Sequence, residues 1–341
     1  MALLAAGCAG PQEPPPRVPP PEPGGELLPM DWEEGGDDAK AAAKAPAPAP
    51  APAPRPAPPP APGRTESVPT LPGPAAGGEE SRGPAPVGLV RSANDAIRRG
   101  QHEVAIRTAK QALRRDEKYV PAMVVLAKGY YYLRKYELAG AILDIAAGID
   151  GNQADVHQLR GFIELALHNQ PGAIASWKKA TDLDPNHASA WNNLGVQYVQ
   201  AKNYRDAVPA LEKAVALAPD SPSAHLNLGS AYRGAGEYQK AEASYRRALE
   251  IRRDYPEAYF NLGILYLDAP EFPGLDPLAK LNAAILQFTR YKEHQSYRLA
   301  KDDPVDGYLE EARKGIERER KRVDRERHRA EPAPDPKEKT Q

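Results

Sequence analysis

Apolar residues recur along most of the chain at the three- and four-residue spacing of helix faces, and small residues repeat at a longer interval. Alanine returns every 34 residues in two phases that lie seven residues apart, and glycine does so in a third phase. The positions are Ala105, Ala139, Ala173, Ala207 and Ala241, then Ala112, Ala146, Ala180, Ala214 and Ala248, then Gly161, Gly195, Gly229 and Gly263. This pattern predicts an all-α chain in which a helix-turn-helix unit is repeated.

The small residues mark the places where neighbouring helices are expected to approach most closely. Gly195 lies three residues before Tyr198, so the two share one face of a helix. Gly195 is expected to leave room for the second helix of its own unit, while Tyr198 fills the layer beside it. Isolated helices of this length are marginal in water, so the units should be stable only when they stack into a solenoid.

The clearest unit runs from Ala188 to Ser221. Its pattern residues are Trp191, Leu194, Gly195, Tyr198, Ala207, Leu211, Ala214 and Pro219. This pattern resembles the tetratricopeptide repeat (TPR) family, whose members are helix-turn-helix solenoids that bind other proteins. We expect about six units within residues 86–303. The first unit matches the pattern only weakly. The sixth unit is interrupted at Ala269-Pro270 by an insertion, and residues 281–291 are expected to form its second helix.

The segments that flank the repeats differ from them in composition. Of the 38 prolines, 24 lie in the first 86 residues. We interpret residues 9–85 as a disordered Ala/Pro-rich linker, in which residues 41–62 form a semi-rigid polyproline II spacer. A proline-rich ligand for small recognition domains is the alternative. Residues 304–330 are predicted to form a charged helix that caps the solenoid, and residues 331–341 a disordered tail.

The charge of the chain gives no reason to expect a nucleic-acid partner. The formal net charge is −1, so there is no strong electrostatic attraction to nucleic acid. Residues 310–329 are densely charged, but both signs interleave. Glu310 and Glu317 each precede a lysine by four residues, which favours a solvated helix. A short coiled coil or an RNA-binding arm remains the alternative for this segment.

The single cysteine lies in an informative context. Residues 1–8 read MALLAAGC, an apolar run that ends in small residues before Cys8. This run resembles a truncated bacterial lipoprotein signal with its lipobox, although no basic residue precedes the cysteine. The resemblance implies that Cys8 is lipidated and anchors the protein at the periplasmic face of the outer membrane, with the linker as a tether. A cytoplasmic protein with an unmodified cysteine is the alternative.

Exposed positions on the first helix of each unit are candidates for a peptide-binding groove. Asn193, Asn227 and Asn261 occupy one phase, one period apart. They resemble the asparagine ladder of some TPR proteins, in which amides hold the backbone of an extended peptide. A structural role for these asparagines is the alternative. The neighbouring groove candidates are Asn192, Gln200, Phe260 and Ile264, of which the last two are apolar where solvent would be expected.

No pattern of a catalytic site was found in the sequence. It contains no phosphate-binding loop, no nucleophile elbow and no HExxH pair. The seven histidines are scattered, and His157 and His225, which lie at the phase of Trp191, are expected to be packing residues. We therefore predict a protein that is not an enzyme and has neither cofactor nor metal site.

Together these features predict an envelope-anchored scaffold that recruits other protein subunits of an envelope complex. The whole pattern resembles the TPR lipoproteins of myxobacterial gliding motility machines. Two alternatives stay open: a lipoprotein that assists assembly of the type IV pilus secretin, and a cytosolic peptide-binding TPR module of an enzyme complex.

Overall fold

The computed structural model describes residues 86–295 and 303–330, and the predicted signal, linker and tail lie outside these ranges. Every regular element in the described ranges is an α-helix. The helices are α1 (Pro86–Arg98), α2 (His102–Arg115), α3 (Val120–Tyr132), α4 (Tyr136–Ile149), α5 (Ala154–Ala166), α6 (Gln170–Leu183), α7 (Ala188–Gln200), α8 (Tyr204–Leu217), α9 (Pro222–Gly234), α10 (Tyr238–Ile251), α11 (Pro256–Asp268), α12 (Pro277–Gln295) and α13 (Val305–Ala330).

The helices stack in sequence order as six units of two. The odd-numbered helices α1 to α11, here called A helices, each pack against the following even-numbered B helix of the same unit. Each B helix then packs against the A helix of the next unit, and α13 packs against α12 at the end of unit 6. The predicted all-α helix-turn-helix solenoid with a charged C-terminal helix is confirmed.

The periodic glycines lie where the two helices of a unit touch. A Cβ atom on Gly195 would lie 2.9 Å from Leu211 Cδ2 and closer still to its Cγ. The equivalent glycines meet large side chains of their own B helix, namely Trp177 beside Gly161, Tyr245 beside Gly229 and Phe288 beside Gly263. The periodic alanines of the B helices are almost completely buried. Glycine at this phase therefore sets the distance between the two helices, as the sequence predicted.

The turn between the two helices of a unit contains one residue with left-handed backbone conformation. These residues also recur every 34 positions, with φ of 71° at Gly100, 59° at Arg134, 61° at His168, 56° at Lys202 and 80° at Gly236. The equivalent residue of unit 6 is Pro270. Its ring holds φ near −65°, so proline cannot form this turn. This explains why the insertion begins at that point.

The insertion makes a turn of its own before the second helix of unit 6. Phe272 and Leu275 form an isolated antiparallel bridge, and Gly274 between them has φ of 83°. The buried Lys280 on α12 donates hydrogen bonds from Nζ to the carbonyl oxygens of Ala269 and Pro270. The lysine thus satisfies carbonyl groups at the end of α11 that the missing turn leaves without partners.

A side-chain hydrogen bond near the start of each A helix ties units 3 to 6 to the preceding loop. His157 Nε2, Trp191 Nε1, His225 Nε2 and Tyr259 Oη each donate to the carbonyl oxygen six residues earlier, at 3.0, 3.0, 2.9 and 3.3 Å. Both histidines are largely buried. Histidine, tryptophan and tyrosine therefore make the same hydrogen bond to the preceding loop at this phase. Burial lowers the pKa of His157.

Candidate protein-binding face

The A helices lie side by side and present one row of side chains, here called the A-helix face. Successive A helices contact one another along most of the array. Side chains at the phases of Asn192 and Val196 therefore meet the next A helix, because positions four apart share a helix face. The face is thus a continuous surface that crosses the units, as an extended ligand would require.

The asparagines of the predicted ladder differ in their surroundings. Asn227 Nδ2 donates a hydrogen bond of 3.0 Å to Asn192 Oδ1, which joins unit 5 to unit 4. Asn193 and Asn261 are half-buried and make no such bond within the described residues. The amides of Asn193 and Asn261 remain free to pair with a peptide backbone, whereas Asn192 and Asn227 already hold each other.

Phe260 and Ile264 do not lie on an open surface. Their exposed fractions are 8% and 2%. The ring of Phe260 packs edge-on against Tyr291 of α12 and Tyr308 of α13, with ring centroids 5.1 and 5.8 Å apart. The sequence placed both residues in the groove, but α12 and α13 cover Phe260, and Ile264 is buried in the same apolar cluster. Their apolar character is therefore explained by contacts within the chain.

Gln200 keeps the exposure that the sequence predicted for it. Its side chain lies near the C-terminal end of α7 and is solvent-exposed. Gln200 is therefore a convenient position from which to probe the A-helix face.

Further polar groups link neighbouring A helices along the face. Gln158 Nε2 donates to Ser189 Oγ at 3.3 Å, and Arg233 Nη1 donates to Asp268 Oδ2 at 2.9 Å. Most of these links join residues about one repeat apart, such as 192 with 227 and 233 with 268. Sequence reasoning identified neither Ser189 nor the Arg233–Asp268 ion pair, although polar pairs one period apart were the signal available.

The electrostatics of the face are mild. His187 donates a hydrogen bond to Asp155, and this bond together with the nearby positive charge lowers the pKa of the Asp155 carboxyl. Burial among aromatic rings raises the pKa of Tyr131 to about 12. A neutral, amide-rich surface suits recognition of a peptide backbone better than recognition of a strongly charged ligand.

Within residues 86–295 and 303–330, no group of three or more potential ligands is arranged to hold a metal ion. No helix in these ranges has both the length and the apolar character needed to cross a membrane.

Comparison with known families agrees with the repeat geometry. One tetratricopeptide repeat model matches residues 90–155 and 197–256, and a second matches residues 144–220. The repeats are therefore tetratricopeptide repeats, and the structure is a TPR solenoid. This fold is typically a non-enzymatic scaffold for protein–protein interaction, and TPR proteins bind other proteins.

Known proteins resemble this chain only in part. RNA polymerase II-associated protein 3 of Xenopus tropicalis is 28% identical over 101 residues, which are 30% of this chain and 15% of that protein. The matched region is thus a small part of that relative.

The solved structures that resemble this chain at low sequence identity include the following three. The Cut9–Hcn1 hetero-tetramer of APC/C has a TM-score of 0.55 at 16% identity, over 67% of this chain and 42% of that one. PilW, a widely conserved type IV pilus biogenesis factor, has a TM-score of 0.54 at 19% identity, over 66% and 96%. PilF of Pseudomonas aeruginosa has a TM-score of 0.53 at 19% identity, over 62% and 92%. At these identities the likeness establishes the fold.

Proposed function

We propose that this protein is an envelope-anchored scaffold that captures an extended segment of a partner protein on its A-helix face. The observation that carries the binding part is that Asn193, Gln200 and Asn261 present side-chain amides on the A-helix face without a hydrogen bond to other described residues. Amides offer both donors and acceptors to a peptide backbone whatever the side chains of the peptide. Asn193, Gln200 and Asn261 would contribute the free groups.

The anchoring part of the proposal rests on the sequence around Cys8. A lipidated Cys8 followed by a long Ala/Pro-rich tether would hold the solenoid away from the membrane surface. The resemblance to gliding motility lipoproteins makes a motility complex the leading assignment. A role in type IV pilus assembly is the second candidate, because PilW and PilF are matched over nearly their whole length. That similarity is one of fold, so the assignment needs its own test.

The anchor is tested by expressing the gene with its upstream DNA and reading the N-terminus of the isolated protein by mass spectrometry. An acylated Cys8 supports the proposal, and Cys8→Ala should move the protein out of the membrane fraction. An unmodified N-terminal methionine in the soluble fraction would overturn the envelope assignment and favour a cytosolic peptide-binding module.

The binding face is tested with a photo-crosslinking amino acid placed at Gln200 in cells that carry the native partners. A matched probe at Glu250, an exposed position on B helix α10, serves as the control. Partner adducts from Gln200 that are lost in Asn193→Ala/Asn261→Ala support the proposal. The matched control pair is Asn152→Ala/Asn186→Ala, which changes exposed loop asparagines. Equal yields of partner adducts from Gln200 and Glu250 would contradict the proposed binding face.

A further inference from the structure

The buried apolar side chains of the array form two separate clusters. One extends from Leu89 to Ile163 and lies in units 1 to 3. The other extends from Ala207 to Leu309 and lies between α8 and α13. Buried residues of α6 and the start of α7, such as Trp177 and Ala190, belong to neither cluster. The two clusters are therefore interrupted where unit 3 meets unit 4, and single buried residues such as Leu194 lie between them.

Two buried glutamines lie at this interruption. Gln158 and Gln197 have exposed fractions of 0% and 2%. Units 2, 5 and 6 place an apolar side chain at the phase of Gln158, and units 3, 5 and 6 place one at the phase of Gln197. Unit 4 has Asn192 at the first phase, and units 1 and 2 have Asp95 and Gly129 at the second. The phase of Gln158 is filled by Val124, Leu226 and Phe260, and the phase of Gln197 by Ile163, Ala231 and Leu265, all of which are buried. Units 3 and 4 are thus joined by amides at positions where units 5 and 6 carry buried apolar side chains.

The amides at the joint are only partly satisfied. Gln170 Nε2 donates to Gln197 Oε1 at 3.2 Å, and Gln158 Nε2 donates to Ser189 Oγ at 3.3 Å. The Oε1 atom of Gln158 is buried and accepts no hydrogen bond from the described residues. A buried acceptor without a partner destabilises the closed arrangement, and exposure to water removes that cost.

The backbone geometry places the weak point of the joint on its A-helix side. The A helices of successive units approach each other closely at α1–α3, α3–α5, α7–α9 and α9–α11, and the approach of α5 to α7 is the weakest. In repeat arrays, stability is approximately the sum of the units and of the interfaces between neighbours. At this joint α6 packs against α7 about as closely as α4 packs against α5 and α10 against α11, so the weakness is confined to the contact between α5 and α7.

We propose that the interface between units 3 and 4 is a built-in joint, at which units 1–3 and units 4–6 with α13 open as two independent blocks. Opening gives Gln158 Oε1 access to water and changes the spacing of α5 and α7 on the A-helix face. The joint would let the face adjust its curvature, and this inference does not depend on the identity of any partner.

The test is hydrogen exchange with mass spectrometry on the full chain in sub-denaturing urea. Leu143→Ala removes a buried side chain from the first cluster and should accelerate exchange in residues 86–166 by about thirtyfold or more. Residues 204–330 should keep their wild-type rates. Equal acceleration in both regions would mean a single cooperative array and would overturn the proposal. Ile142→Val is the milder variant for use if Leu143→Ala does not fold.

A second experiment asks whether the glutamines are responsible. Gln158→Leu/Gln197→Ile gives the joint the residue types that other units use at these phases. With Leu143→Ala added, acceleration should now extend into residues 204–330. The control is Gln287→Leu, since Gln287 also has a buried Oε1 atom without a partner but lies on α12, away from the joint. If the double substitution leaves the two regions independent, the glutamines do not make the joint.

Discussion

The distance between the helices of a unit can be tested at Gly195, where the structure gives a quantitative expectation. In Gly195→Ala the added Cβ atom would overlap Leu211, whose side chain is fully buried and held by its neighbours. Overpacking of this kind costs about 1–3 kcal/mol. Alanine also favours helix over glycine by about 1 kcal/mol. The net expectation is a loss of about 1 kcal/mol in the free energy of unfolding.

A matched variant separates the two effects. Gly148 lies in α4, and a Cβ atom there would meet nothing within 4 Å. Gly148→Ala should therefore stabilise the protein by up to about 1 kcal/mol through helix propensity alone. The difference between the two variants removes the propensity contribution and leaves the overpacking cost of about 1–3 kcal/mol. Urea unfolding followed by circular dichroism at 222 nm measures both.

A double-mutant cycle identifies the atom that is crowded. Leu211→Ala alone should cost about 2–5 kcal/mol because it leaves a cavity. Combined with Gly195→Ala it should cost less than the sum of the two single changes, since the overlap no longer exists. If Gly195→Ala is as stable as Gly148→Ala, or if the two changes are additive, then the helices are not held apart by this contact.

Three further predictions concern the turns, the ionisable groups and the ties to the loops. Lys202→Gly should stabilise the protein by about 1 kcal/mol or less, because it relieves a left-handed backbone strain of roughly 1–2 kcal/mol. The greater freedom of glycine in the unfolded chain offsets part of that gain. Lys179→Gly, in the middle of α6, should instead destabilise the protein, and thermal unfolding compares the two variants. Burial and a hydrogen bond to Glu242 raise the pKa of Tyr266 to about 12. The stabilising contribution of the neutral hydroxyl is therefore complete below pH 10 and is lost as the pH rises through about 12. Urea unfolding across this range should show that Tyr266→Phe loses less of its free energy of unfolding than the wild type. His225→Phe should leave the carbonyl oxygen of Pro219 without its donor and lower the free energy of unfolding by about 1 kcal/mol. His225→Trp should retain the bond, as Trp191 does at the same phase. An equal loss of stability in both variants would refute the role of the hydrogen bond.

The helical repeat was predictable because its signals are local and recur. Five alanines at one phase and glycines at another define two helices per unit whatever the rest of the sequence does. The turns were harder to read, because Arg134, His168 and Lys202 adopt a conformation for which glycine is the usual signal. The side-chain hydrogen bonds to the preceding loops were equally hard to predict, since histidine, tryptophan and tyrosine make equivalent bonds at this phase.

The candidate face was less predictable because each unit's surface depends on what covers it. Phe260 occupies the same phase as Asn192, yet α13 covers Phe260, whereas Asn192 stays half-exposed. That difference arises from packing between residues 48 positions apart, across an insertion that interrupts the period. Similarly, the bond between Asn192 and Asn227 depends on the rotation of two helices, which a periodic pattern does not specify.

The two ends of the A-helix face differ in a way that restricts where a partner can bind. At the C-terminal end, Tyr308 and the rest of the first turns of α13 occupy the place that a further A helix would take, and the apolar side chains of α11 are buried beneath them. At the other end, Val87 on α1 is 57% exposed. A segment that lies along the A helices therefore meets the free amides of Gln200 and Asn193 in unit 4 but meets a closed wall beyond Asn261, where α13 covers Phe260. If the face binds as proposed, substitutions at Asn193 should weaken binding more than substitutions at Asn261, because Asn261 lies beside that wall.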